Sequence, residues 1–262
     1  MAMERPNDHA RRRSGAPQPG GAVHDAEQVV RLQAGAVELE GNLALPEDAQ
    51  GLILFAHGSG SSRHSRRNRQ VAAALREAGL GTLLIDLLTA AEERVDAHTA
   101  ALRFDIALLA ERVLGATDWI LRQPGLSHLA IGYFGASTGA AAALVAAAER
   151  PDQVRAIVSR GGRPDLAGAA LAGVRAPTLL IVGGRDIPVI GLNETALAHL
   201  TALTDASQKR LTIVPGATHL FEEAGTLEEV SRLASDWFRR HLQSQGGRGA
   251  GLASPGERRR AP

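Results

Sequence analysis

The sequence predicts one α/β domain: a mostly parallel, doubly wound sheet with helices on both faces. Six short continuous apolar runs recur along the chain: Leu52–Ala56, Gly81–Ile85, Leu129–Phe134, Val154–Val158, Thr178–Val182 and Leu211–Val214. Runs without polar alternation suit strands that are covered on both faces. Between them, apolar residues recur at helical spacing over Asn68–Ala78, Leu102–Arg122, Thr138–Glu149, Glu194–Leu203 and Leu227–Leu242. Val29–Gln33 and Ala36–Leu45 read as an opening antiparallel hairpin. Strand–helix alternation on this scale argues for a single sheet wound in both directions.

The folded part is expected to span residues 26–244. Residues 1–25 and 245–262, rich in Pro, Gly and Arg, lack the apolar periodicity that offsets the entropy of ordering and are expected to be disordered tails. The connection from the strand ending near Ser159 to the one starting near Thr178 is short, which predicts an open cleft with little or no lid.

A formal net charge of +1 gives no global field toward nucleic acid or anionic membrane, so neither is expected as a partner. With no cysteine, thiolate nucleophiles and thiolate metal sites are excluded. The nine histidines are scattered without paired-ligand spacing, so neither a metal nor a cofactor is expected. No apolar run approaches the roughly 20 residues needed to cross a bilayer, and the N-terminal arginines precede no apolar stretch. A cytoplasmic location is the corresponding expectation.

The central motif is Gly135-Ala136-Ser137-Thr138-Gly139, between a predicted strand and a predicted helix. A nucleophile on so sharp a turn sits in a strained backbone conformation, and glycines on either side remove the collisions. The helix that follows directs free N–H groups and a partial positive charge toward Ser137, where an oxyanion would need them. A plain glycine-rich helix cap would give the same five residues, and the strand–turn–helix context favours the functional reading.

Two further residues complete a candidate set. Asp186 follows the strand ending near Val182, and His219 follows the strand ending near Val214. All three therefore fall at C-terminal strand ends, where parallel sheets build their sites, in the order Ser, Asp, His. Asp165 is the alternative acid. The first parallel strand runs into His57-Gly58-Ser59-Gly60, whose backbone can turn toward the nucleophile. The amides of Ser59 and Thr138 are the candidate oxyanion donors. His57 is read as structural, bonding to its own loop.

At these residues the chain resembles the α/β-hydrolase superfamily, and within it the small, lidless bacterial enzymes related to dienelactone hydrolase. The matching segments are His57-Gly58-Ser59-Gly60, Gly135-Ala136-Ser137-Thr138-Gly139, Gly184-Arg185-Asp186 and Gly216-Ala217-Thr218-His219. The resemblance runs from about residue 29 to about residue 242. It implies hydrolysis of a small-molecule ester or lactone through an acyl-enzyme. Relatives with this motif set also resemble a domain sometimes fused to a phosphoribosyltransferase. One departure stands out: dienelactone hydrolases proper use a cysteine nucleophile, where this chain has Ser137.

Two alternatives stay open at this level: an acyltransferase or thioesterase with the same residues, and a catalytically silent binding protein of the same fold. Arg63, His64, Arg66 and Arg67 follow the His57 loop, and Arg160 and Arg163 follow another strand. Arg63 and Arg160 are the candidates for binding an anionic group on the substrate. Pairing with Asp86, Glu92 or Glu93, or plain exposure, is the competing expectation. Oligomeric state is not legible.

Overall fold

A computed structural model describes residues 27–242. The predicted tails and the outermost residues of the predicted domain lie outside that range. Eight strands form one sheet in the order β1-β2-β4-β3-β5-β6-β7-β8. Strands β1 (Gln28–Ala34) and β2 (Val37–Ala44) are the expected antiparallel hairpin, with Gly35 at φ 63° in its turn. β2 pairs antiparallel with β4 (Gly81–Ile85). From β4 onward the pairing is parallel, through β3 (Leu52–Ala56), β5 (Ile131–Ala136), β6 (Val154–Arg160), β7 (Thr178–Gly183) and β8 (Lys209–Val214).

The apolar runs are explained by two separate cores. On β3, Leu52, Leu54 and Ala56 enter one core, while Ile53 and Phe55 enter the other. The first core is closed by α3 (Ile106–Arg122) and α4 (Thr138–Glu149), the second by α1 (Arg66–Glu77) and α6 (Thr226–Leu242). Because successive strand residues point to opposite faces, a strand buried on both sides is apolar at nearly every position. Gly132 on β5 makes room for α6: a Cβ there would lie 2.8 Å from Phe238 Cε1. Phe55 and Phe134 stack with ring centroids 4.8 Å apart in the same layer.

Three elements differ from expectation. The predicted helix 102–122 is broken. A 3-10 turn (Leu102–Phe104) precedes α3, whose N-cap Asp105 accepts from the Leu108 amide. An additional helix, α2 (Ala90–Thr99), follows β4 and buries only Asp96. The helix after β7, α5 (Ile187–His199), starts seven residues before Glu194, with a proline in its first turn. The connection between β6 and β7 holds a 3-10 segment (Pro164–Gly173) packed against α4 and α5.

Candidate active site

Ser137 ends β5 and opens α4 with φ 49° and ψ −122°. A left-handed φ at a residue other than glycine, asparagine or aspartate is a strained conformation that the surroundings must enforce. Its enforcement is visible in the backbone. The Ser137 amide donates to the Arg160 carbonyl at 3.4 Å, and the Ser137 carbonyl accepts from the Arg163 amide at 3.1 Å. The flanking glycines act as expected. A Cβ on Gly135 would lie 2.4 Å from Ala140 Cα, and one on Gly139 would lie 2.3 Å from the Ala56 carbonyl oxygen. Only hydrogen side chains allow α4 to start this close to β3. Gly58 plays the same part opposite, since a Cβ there would meet Ser137 Cβ at 2.9 Å.

Asp186 and His219 come together at the ends of β7 and β8. The loops carrying them are stitched by Gly184 N–H to Val214 O at 2.8 Å and Arg185 N–H to Ala217 O at 2.9 Å. Gly183 permits that approach, because a Cβ would lie 2.5 Å from the carbonyl oxygens of Ala217 and Thr218. His219 Nδ1 lies 2.6 Å from Asp186 Oδ2. The carboxylate is largely shielded while the imidazole is 38% exposed, so the ring is held from behind and open in front. The histidine loop is braced further by the Thr218 amide, which donates to Glu223 Oε2 at 3.0 Å. That bond holds the Glu223 carboxyl below the usual carboxylate range.

Ser137 and His219 line one cavity of about 240 Å³, together with Gly58, Ser59, Arg67 and Arg160. A larger cleft of about 530 Å³ adjoins it and shares Gly58, Ser59, Ser61 and Ser65. Leu87, Leu88, Leu109 and Thr138 line that cleft, and Glu93, Asp96 and Ala97 of α2 form one of its walls. The expectation of an open cleft with little or no lid rests on the short β6–β7 connection; the wall that α2 forms comes from the segment after β4. Ser59 thus lies where both cavities meet, and Thr138 supplies the first amide of α4, one of the four that lack an intrahelical acceptor.

The remaining candidates separate clearly. Asp165 is gripped by Arg163, which donates to it through Nε at 2.9 Å and Nη2 at 2.7 Å. It is not the partner of His219. His57 is buried, and its two ring nitrogens are occupied: Nδ1–H donates to the Gly58 carbonyl at 2.9 Å and Nε2 accepts from the Leu87 amide at 3.0 Å. Those partners fix the tautomer and make the ring a brace between β3 and β4, as expected. Burial pushes its pKa down.

Arg63 corrects the expectation that it binds substrate. Its guanidinium pairs with Asp86, with Glu40 at 2.5 Å and with Asn42 at 2.9 Å, and its amide donates to Asp86 at 2.7 Å. It lines neither cavity. The residue locks the loop after β3 onto β2 and β4. Arg160, by contrast, is buried and lines the cavity of Ser137 and His219.

The dienelactone hydrolase family matches residues 39–243. The chain belongs to the dienelactone hydrolase family. A solved family member, a dienelactone hydrolase from Anabaena variabilis, is 61% identical, with a TM-score of 0.79 over 82% of this chain and 98% of that one. A Mycobacterium tuberculosis protein named "Putative phosphoribosyl transferase" is 56% identical over 220 residues, 84% of this chain and 48% of its own length. The chain thus spans about half the length of that curated relative. A Pyrococcus furiosus esterase shares the fold at 15% identity, with a TM-score of 0.66 over 88% of this chain and 97% of its own. This dienelactone hydrolase family member has the family's α/β-hydrolase architecture. Among the described residues, no helix is long and apolar enough to cross a membrane.

Proposed function

We propose that this hydrolase cleaves a carboxylic ester or lactone through an acyl-enzyme formed on Ser137. The observation that supports this best is a strained serine at a helix N-terminus, sharing a cavity with a histidine whose Nδ1 is held 2.6 Å from a carboxylate. Ser137 Oγ attacks the carbonyl carbon while His219 Nε2 takes its proton. Asp186 fixes the ring so that Nε2 carries the lone pair, and stabilises the imidazolium once it forms. The amides of Ser59 and Thr138 receive the oxyanion; each such donor contributes about 3 kcal/mol in comparable sites. His219 then returns the proton to the leaving alkoxide, and water repeats the sequence to release the acid. The larger cleft would hold the part of the substrate remote from the serine.

Phosphoribosyl transfer, suggested by the relative's name, is a second reading for the longer protein. An activated serine suits acyl transfer better, and hydrolysis is therefore preferred for this chain. Turnover of a p-nitrophenyl ester by the full chain tests the proposal. Ser137→Ala should lower kcat/KM by about 10³-fold or more with unchanged melting, and equal turnover by that variant would end it.

A further inference from the structure

Arg160 has an unusual environment for a buried cation. It ends β6, is 7% exposed and lines the cavity beside Ser137 and His219. Buried guanidinium groups are ordinarily paired with carboxylates, because an uncompensated buried charge is costly. Here, among the described residues, the one hydrogen bond of the side chain is from Nη2 to Asn68 Oδ1 at 3.3 Å, and Nε is buried with no acceptor. A second cation, Arg67, stands in the wall of the same cavity and repels it. Its Nε is also buried without an acceptor, while its Nη1 reaches the exposed Glu222 at 3.2 Å. Burial and repulsion from Arg67 push Arg160 down to about 10, so it stays charged at neutral pH.

A third source of positive potential converges there. Helix α1 begins after N-cap Ser65, and its first turn contains no acidic residue. Ser65 Oγ accepts from the Asn68 amide, but no carboxylate offsets the partial charge of that terminus, and Arg66, beside Arg67 in the same turn, adds to it.

We infer that this corner is an anion subsite for a phosphate monoester carried by the substrate, seated between Arg160, Arg67 and the N-terminus of α1. A phosphate monoester has three terminal oxygens and up to two negative charges. It can therefore answer the two guanidinium groups and the helix terminus together. A carboxylate has only two oxygens, and Arg67 already shares its charge with Glu222, so it is the number of donors converging on the corner, more than net charge, that favours the third oxygen. The inference deepens the ester-hydrolase reading and rests on it, since the subsite sits beside the proposed nucleophile.

The test is calorimetric titration of inorganic phosphate into full-length Ser137→Ala at fixed ionic strength. Two further proteins carry Arg160→Gln or Arg67→Gln in addition, and thermal melts establish that each folds. The expected result is one phosphate per chain, bound about tenfold or more weakly in each double variant, with acetate about tenfold weaker than phosphate on Ser137→Ala. Undetectable phosphate binding, equal binding in all three proteins, or acetate binding as tight as phosphate would overturn the inference. Because catalysis is not read, the two claims separate. Phosphate binding without wild-type esterase activity sinks the hydrolase reading, while activity without phosphate binding sinks the subsite.

Discussion

Asp186 Oδ2 lies 2.6 Å from His219 Nδ1 across two loops that follow different strands. That bond requires the proton on Nδ1 and leaves the lone pair on Nε2, which takes the Ser137 proton in the proposed mechanism. Asp186→Asn presents an amide instead, which can reverse the tautomer while keeping the shape. In a serine protease triad the same exchange costs about 10⁴ in kcat. A loss of about 10³–10⁴-fold in kcat for a p-nitrophenyl ester, with unchanged melting, is expected; steady-state kinetics with a urea melt checks it. Retention of wild-type kcat would remove Asp186 from the mechanism.

His57 gives a prediction about stability and pH. Its folded pKa is lowered by burial, and both ring nitrogens serve the neutral tautomer. The unfolded chain takes up a proton near the ordinary value of about 6.5, before the folded protein does. Stability from this residue is therefore full above that value and falls as pH drops below it, toward the folded pKa. The limiting slope is about 1.4 kcal/mol per pH unit for one proton. Urea midpoints measured from pH 7.5 to pH 5 should fall more steeply for wild type than for His57→Gln. Parallel curves would contradict the assignment.

Arg63 should prove structural. Asp86 is 9% exposed and accepts from both the amide and the guanidinium of Arg63. Removing one partner of a buried pair leaves the other charge uncompensated, at a cost of about 3–5 kcal/mol. Part exposure of Glu40 and the surviving amide bond put Arg63→Met toward the low end. Combining it with Asp86→Asn should recover part of the loss, giving a coupling energy in a double-mutant cycle of urea unfolding. Additive losses would show that the pair does not hold the loop.

How much of this was legible depends on what each element is made of. β3 can be bounded from sequence because it is apolar throughout, and β4 and α4 because, apart from Thr82 and the end residues Thr138 and Glu149, they are built of small and apolar residues that the cores demand. Helix α2 could not be found by periodicity, since its one buried residue is Asp96, held by Arg103 at 2.6 Å rather than by apolar packing. Its signal was local: Thr89 and Glu92 form a capping box. Helix α5 begins before its apolar periodicity does, across Pro188 and Gly191, residues that usually break helices, although proline is tolerated in a first turn. That Asp186 and His219 would fall at neighbouring strand ends is legible because the apolar runs before them fix where β7 and β8 stop. Arg63 and Arg160 were not separable by sequence. Whether an arginine meets a carboxylate depends on residues such as Asp86, 23 positions away, folding beside it.

The most direct measurement of the central claim is covalent labelling. The full chain is treated with a fluorophosphonate and its intact mass and peptides are read by mass spectrometry. One adduct per chain, located on Ser137 and abolished by Ser137→Ala, is the predicted result. An unlabelled folded wild type, or a label carried by any other residue, would contradict the account.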